Sequence, residues 1–550
     1  MINLKIFLSI SFFSLSFLLL SYKLDQIPNG VYVDEATSGI NAYSILKTGK
    51  DEYGKEFPVA FRFFGSYSPP LYVYLSTIPV WIFGLNEFSI RVVSVIAGSL
   101  MVVVVFWYLK QTKLVESKVI PFILILFIIT PWNFFFARLG YELYLGFFLF
   151  SLGALFCWIG LKRNFFITLG LVILSISTYS SHPQIYSAPI FTLGFLIAFY
   201  KYFKKKYLVV GLLVTFLIQL PHILLLNTKA FLNKSDLFYF EEILFSSEKI
   251  PLPTILSIPF SFLYSFFARV VTYFSPKSLF FFTDPDLQRS MPEVSVFYNW
   301  MVIPYLIGVF IFLKSRKDKF IIFLTLLMIA ILIPASLTKD PFSTQRVLGL
   351  LLPFFIIICI GISIIYKKIR SDKFITLFFI ILSISLIILL RSYFVLLPSE
   401  RAKNWNYGFK QLASFISKNQ DSQFVIDQIS GKPVYIEMAF FLKTDPEVLQ
   451  NASDKSIRHD YYNLNEFNPE YKFENLDIRN IIWEKDIYRS QIIIGDELTI
   501  SDHQAKEHFL TEVLSIHDPR GYIIFKGYQT NPQKKCQETD FKSDYCKKLN

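Results

Sequence analysis

Long apolar runs separated by short polar breaks fill the first 397 residues of the chain. About 17–25 consecutive apolar residues suffice to carry a helix across a bilayer. Runs of that kind lie near 4–21, 88–108, 119–135, 142–160, 165–181, 185–200, 207–225, 297–313, 320–337, 347–366 and 374–396. The pattern predicts an α-helical polytopic membrane protein with about eleven spans. Two further apolar stretches read as interfacial or re-entrant helices. Leu71–Leu85 is short and contains Pro79, and Ile250–Ala268 contains Pro251, Pro253 and Pro259. The first run has no A-x-A-like cleavage site and reads as an anchor.

The periodicity changes after Pro398. Residues 404–418 place Phe409, Leu412, Phe415 and Ile416 on one helical face. Short β-rich runs follow at 423–427, 491–495 and 512–527, with Arg520-Gly521 as a turn between the last two strands. The expected division is a transmembrane part, 1–397, and a small C-terminal α/β domain, 398–550. At about 150 residues the latter is large enough for its own core. Two long loops interrupt the membrane part, 22–87 and 226–296. The second holds Tyr239, Glu241, Glu242, Tyr264, Arg269 and Tyr273.

Composition agrees with a membrane protein. The chain is 53% hydrophobic and 17% charged, against about 25% charge in soluble domains. The net charge of +12 would suit a polyanion-binding protein, but its placement argues otherwise. Five short loops between apolar runs, 109–118, 161–164, 201–207, 314–319 and 367–373, carry more net positive charge than the whole chain. The remainder is therefore net acidic. This is the positive-inside signal of cytoplasmic loops, and no nucleic-acid partner is expected. It places the N-terminus inside and both long loops and the C-terminal domain on the exoplasmic face of a cell membrane. The Lys-, Ile- and Phe-rich composition, with 61 Phe, suggests an AT-rich prokaryote.

Cys157 and Cys359 fall in spans and read as small buried hydrophobes. Cys536 and Cys546 lie on the exoplasmic side, where a disulfide between them is expected. No P-loop, G-x-G-x-x-G or G-x-S-x-G is present.

The candidate chemistry lies at the outer ends of spans. Asp34 and Glu35 stand side by side after the first span, at the start of an amphipathic helix from Asp34 to Leu46 that Gly49 stops. Adjacent residues on a helix point into different sectors, so the two acids have separate roles. Helix capping is the simpler alternative. Arg138 and Glu142, in P-W-N-F-F-F-A-R-L-G-Y-E, are four apart and would share a helix face, as a local ion pair or near a ligand. Tyr179, His182 and Gln184 fall in T-Y-S-S-H-P-Q. His182 suits phosphate or metal, or a local hydrogen bond. Arg346, in T-K-D-P-F-S-T-Q-R-V-L-G-L-L-L-P, suits bidentate phosphate binding or interfacial snorkelling. Lys339 is a weaker candidate for the same role.

Four strings of the first loop, P-N-G-V-Y-V-D-E-A, K-T-G-K-D-E-Y-G-K-E-F-P, S-Y-S-P-P-L-Y-V-Y-L and G-L-N-E-F-S-I-R, resemble the first exoplasmic loop of superfamily C membrane glycosyltransferases. The likeness is to the protein mannosyltransferase and aminoarabinose transferase branch. It is most specific over 27–98 and extends over 1–397.

The resemblance implies transfer of a sugar from a polyprenyl-phosphate donor to an acceptor hydroxyl of a protein, glycan or lipid, by a single inverting displacement. Asp34 would be the general base, and Glu35 would orient the site or a metal. Arg138 and Glu142 would lie near the sugar and Arg346 at the lipid phosphate; Tyr179 and His182, at another outer span end, are further substrate-binding candidates that the resemblance does not assign. A divalent metal assists in some relatives, but no H-E-x-x-H or paired-Cys ligand set is present. The competing readings are a transporter or lipid flippase, which needs ionisable residues deep in spans and repeated halves, and a non-catalytic envelope scaffold. The sugar, the acceptor and the oligomeric state are not legible.

Overall fold

The structure, a computed structural model, describes residues 4–232, 240–247, 253–340, 342–369, 372–428, 433–464, 467–538 and 546. Tyr239, Pro251 and the side chains of Glu241 and Glu242 lie outside the described residues. The chain divides into two compact units. The first comprises 1–24, 68–72 and 91–395, and the second comprises 25–67, 73–90 and 396–550. Most of the first long loop thus shares a unit with the C-terminal residues.

The first unit is helical, and the chain is a multi-pass membrane protein. Among the described residues nine helices are long and apolar enough to cross a bilayer. Shorter apolar helices lie at Leu71–Phe83, Ile120–Ile129, Phe165–Ser177 and Asn299–Lys314. The expected run 119–135 is broken at Thr130, whose extended ψ of 128° ends one helix before Pro131 opens the next. Pro fits such a first turn, where its missing N–H has no partner to lose.

The reading of Ile250–Ala268 as non-spanning needs correction on its stated ground. Thr254–Phe274 is one 21-residue helix, and Ile255–Phe274 is long and apolar enough to span. Pro253 sits at its N-cap and only Pro259 lies inside, so the prolines do not break it. Leu71–Phe83, with Pro79 inside, has 13 residues and is short for a crossing.

Helices Val302–Lys314 and Leu351–Ile369 approach closely. A Cβ on Gly361 would lie 1.8 Å from the Pro304 carbonyl oxygen, and one on Gly308 would lie 2.0 Å from that of Ile357. Where lipid replaces water, such small residues let helix backbones meet.

The second unit is an α/β body. Its larger sheet contains β3 (Phe424–Ile426), β4 (Tyr471–Phe473), β5 (Leu476–Ile478), β6 (Ile492–Gly495), β7 (Thr511–His517) and β8 (Ile523–Gln529). The strand order is β4-β5-β3-β6-β8-β7. β3 runs parallel to β5 and β6, while β7 and β8 form the antiparallel hairpin expected around Arg520-Gly521. A two-stranded sheet joins β1 (Phe61–Phe63) and β2 (Ser66–Ser68) of the first loop.

The helix Phe409–Lys418 buries Phe409, Leu412 and Ile416, as its periodicity predicts. One apolar core joins Val31, Ile40 and Phe61 of the first loop to Leu412, Ile436 and Phe440. Cys536 and Cys546 form a disulfide, and Cys157 and Cys359 are buried thiols.

Candidate functional site

The helix bearing the first acidic pair runs Val33–Thr48. Tyr32 precedes it in extended conformation, and its backbone N–H donates to Glu35 Oε2 at 3.1 Å. Glu35 thus occupies the third helical position and reaches back over the helix start, as the acid of a capping box does. The helix ends where Gly49 adopts a left-handed φ of 71° and returns its N–H to the Ile45 carbonyl, a conformation that favours glycine. Asp34 is half-buried while Glu35 is fully buried. The two adjacent acids thus sit in separate environments.

A second acidic pair follows in the same loop. Asp51 and Glu52 are almost wholly buried. Asp51 Oδ1 accepts from the backbone N–H groups of Tyr53 (3.0 Å) and Lys55 (2.8 Å), and its Oδ2 accepts from the Tyr461 hydroxyl at 2.5 Å. Glu52 Oε1 accepts from Asn41 Nδ2 and Oε2 from the Tyr435 hydroxyl, both at 3.0 Å. Burial pushes the Asp51 carboxyl up to about 6, against its hydrogen bond from Tyr461. Burial pushes Glu52 up to about 8, with the Asp51 charge adding to the rise.

In the first unit Arg346 lies in a turn before the helix Leu351–Ile369. Its Nη2 is 3.0 Å from Asp340 Oδ2. Its Nη1 is buried and has no hydrogen-bond partner among the described residues. Arg289 reaches the same Asp340 oxygen at 3.3 Å, holds Asp286 at 3.0 Å, and donates to Ser343 Oγ at 3.1 Å. Asp284 accepts from both the backbone N–H and the hydroxyl of Thr344 at 2.8 Å. Burial pulls the Arg346 guanidinium below its ordinary value, and burial raises Asp284.

A small cavity brings Arg346 and Gln345 together with Ser181, Pro183 and Gln184. Two strings read separately along the sequence thus converge there. Lys339 contributes its carbonyl oxygen to Arg269 Nη1 at 2.7 Å.

The chain is similar to ArnT from Cupriavidus metallidurans bound to undecaprenyl phosphate. The identity is 10%, over 94% of this chain and 97% of that one, with a TM-score of 0.44. It is also similar to the Archaeoglobus fulgidus oligosaccharyltransferase in the apo form, at 13% identity over 96% of this chain and 74% of that one, with a TM-score of 0.48. The same archaeal protein in complex with Zn and sulfate gives 12% identity over 94% and 73%, with a TM-score of 0.47. No family model and no curated protein matches the chain. Residue roles therefore rest on this chain's own geometry.

The remaining expected site residues take different places. Arg138 and Glu142 do not share a helix face. Residues 137–142 form turns between the helices Pro131–Phe136 and Leu143–Gly160. Arg138 is fully buried, donates to the Leu20 carbonyl at 2.6 Å and the Lys23 carbonyl at 3.3 Å, and lies 4.8 Å from the Tyr393 ring centre. It thus ties down the end of the first helix, with a cation–π contact in support.

Tyr179 stacks on His222 with ring centres 4.0 Å apart and donates to the Ile218 carbonyl at 2.6 Å. His182 opens the helix His182–Phe199 and is half-buried. Among the described residues no group of three or more His, Cys, Asp or Glu is arranged to hold a metal ion.

Sequence reading missed Asp284, Arg289 and Asp340 as one polar node, and missed the role of Asp51 and Glu52. For the node the available signal was T-D-P-D-L-Q-R-S, a charged string in an otherwise apolar half. For Asp51 and Glu52 it was the K-D-E-Y string itself.

Proposed function

We propose that the chain is a superfamily C glycosyltransferase. It moves a sugar from a polyprenyl-phosphate donor to an acceptor hydroxyl on the exoplasmic face. The observation that carries this reading is Arg346. A buried guanidinium nitrogen without a hydrogen-bond partner is costly, and a phosphate oxygen is the acceptor that the planar guanidinium fits best. Asp340 already holds the other side of the group at 3.0 Å, which fixes its direction. The likeness of the first loop to that superfamily supplies the reaction class.

Asp34 acts as general base. The lipid phosphate is a good leaving group, so the demanding event is loss of the acceptor's proton as the new bond forms. One carboxylate can take that proton. Glu35 accepts from the Tyr32 backbone N–H at the helix start, and Asp34, half-buried beside it, is the residue that matches the base of the resembled loop. The sugar carbon inverts in one displacement.

Replacing Arg346 by Ala tests the reading. The variant loses a charge-assisted contact worth about 1.5–3 kcal/mol, so binding of undecaprenyl phosphate to the purified protein in detergent weakens by one to two orders of magnitude, with the fold intact. Unchanged affinity removes Arg346 from the donor site. A mass shift in an acceptor pool incubated with defined polyprenyl-phosphate sugars identifies the sugar and the acceptor.

A further inference from the structure

The Asp51–Glu52 pair does no work in the reaction proposed above, yet it is the most deeply buried acidic pair of the first loop. It touches the helix that carries Asp34. The Asn41 side chain, on that helix, donates through Nδ2 to Glu52 Oε1 at 3.0 Å and accepts through Oδ1 from the Glu52 backbone N–H at 3.1 Å. Glu52 therefore grips one side chain of the helix at two points. Its other oxygen accepts from Tyr435 on the helix Val434–Leu442. The Tyr435 hydroxyl lies 3.4 Å from that of Tyr53, and its ring stacks on Tyr471 of β4 with centres 3.8 Å apart. A second tie parallels this one. Gln450 Nε2 donates to Ser44 Oγ, Thr48 Oγ1 and the Asp51 carbonyl within 3.1 Å.

We propose that Glu52 is a positioning residue: as a neutral acid it fixes the helix Val33–Thr48, and its ionisation loosens that helix. The proposal rests on the reading of Asp34 as base for its link to turnover, but not for its structural half.

The groups facing Glu52 explain why it stays neutral. Asp51, its chain neighbour, repels a second negative charge. Tyr53, Tyr435 and Tyr471 surround it with rings and hydroxyls. The Arg62 charge on β1 favours its ionised form. The Arg62 guanidinium is committed to the Leu464 carbonyl and lies 5.6 Å from the Tyr53 ring centre. Arg458 donates to the Tyr53 carbonyl at 2.8 Å, and Lys55 sits over the rings of Tyr461 and Tyr462. An ionised Glu52 would be a buried charge with no ion-pair partner among the described residues, a condition proteins avoid by keeping the proton.

The sign follows from linkage. Glu52 titrates near 8 when folded and near the ordinary 4.5 when unfolded. Its stabilising contribution is fully present below 4.5 and is lost as pH rises through 8. Asp51 acts in the same direction but finishes near 6. The window from about 6 to 8 therefore belongs to Glu52.

The test compares full-length wild type, Glu52→Gln and Tyr435→Phe from pH 6 to 9. It follows hydrogen exchange of residues 33–48 together with sugar transfer. Expected for wild type is loss of protection through pH 8, with transfer falling in step. Glu52→Gln, which keeps the backbone N–H and one side-chain oxygen for Asn41 without a titrating group, should hold protection and transfer flat over that range. Tyr435→Phe removes a hydrogen bond that favours the charged form and should move the wild-type midpoint to higher pH. Identical pH profiles for wild type and Glu52→Gln overturn the proposal, as does an unmoved midpoint in Tyr435→Phe. Absent transfer in all three proteins would count against the transfer reading, and hydrogen exchange would still decide for Glu52.

Discussion

The first loop contains the dipeptide Asp-Glu twice, at 34–35 and at 51–52, and the fold treats the two copies in opposite ways. The first opens a helix. Glu35 is spent on the backbone N–H of Tyr32, and Asp34 keeps a half-buried position. The second is enclosed by Tyr53, Tyr435 and Tyr461, and both acids accept hydrogen bonds from neighbours that fix them. Identical chemistry thus becomes a candidate base in one place and a packed fastener in the other. What separates them is the backbone. A helix start offers free N–H groups and a favourable dipole. The turn at 51–54, closed by the Gly54 N–H to the Asp51 carbonyl at 3.0 Å, folds its acids inward.

The largest expected effect lies on the first pair. Asp34→Asn preserves size, gives up at the second helical position only a charge–dipole attraction of about 0.3–1 kcal/mol, and cannot take a proton. Loss of a general base costs about 10²–10⁴ in rate. Sugar transfer by Asp34→Asn should fall by that factor while thermal unfolding stays close to wild type. Turnover at the wild-type rate in a folded Asp34→Asn protein would erase the functional difference between the pairs, and the transporter and scaffold readings would regain ground.

Much of the helix around the first pair is legible from sequence. The acids, the apolar spacing and Gly49 predict a helix over 34–46, and the structure gives Val33–Thr48 with Gly49 as its left-handed cap. Local chemistry sets those limits, so local reading finds them. The hairpin around Arg520-Gly521 and the helix face of Phe409, Leu412 and Ile416 are legible for the same reason.

The role of the second pair is not local. Glu52 meets Tyr435, and Asp51 meets Tyr461, across hundreds of intervening residues. No spacing rule brings those strings together. At Thr254–Phe274 proline misled only as a sign of a broken helix, because a helix tolerates proline near its start and the sequence alone does not say where that start lies. Arg138 and Glu142 misled in the opposite way, since a helical interval is informative only where a helix continues through it, and residues 137–142 form turns.

A smaller effect is expected on the second pair, and on a different observable. Asp51→Ala strands the Tyr461 hydroxyl and the N–H groups of Tyr53 and Lys55, which accept no substitute from a methyl group. A buried donor left unpaired costs about 1–3 kcal/mol, so thermal unfolding should shift down accordingly. Asp51→Asn keeps an oxygen for the two N–H groups and should recover part of that loss. If Asp51→Ala unfolds at the wild-type temperature, the second pair is not the fastener described, and its contrast with Asp34 disappears.

The smallest effect is expected at Glu35, and it bears on whether the contrast runs between pairs or within the first one. A capping box accepts Glu or Gln at the third helical position, because either side chain presents an oxygen to the N-cap N–H. Glu35→Gln therefore keeps the bond from Tyr32 and loses only the attraction between a negative charge and the helix start, about 0.3–1 kcal/mol. Melting of the variant should fall within that range and sugar transfer should stay near wild type. A large loss of transfer with unchanged melting would mean that the Glu35 charge itself takes part in the chemistry. The first pair would then act as two working acids, and the helix start that Glu35 caps would be part of the site.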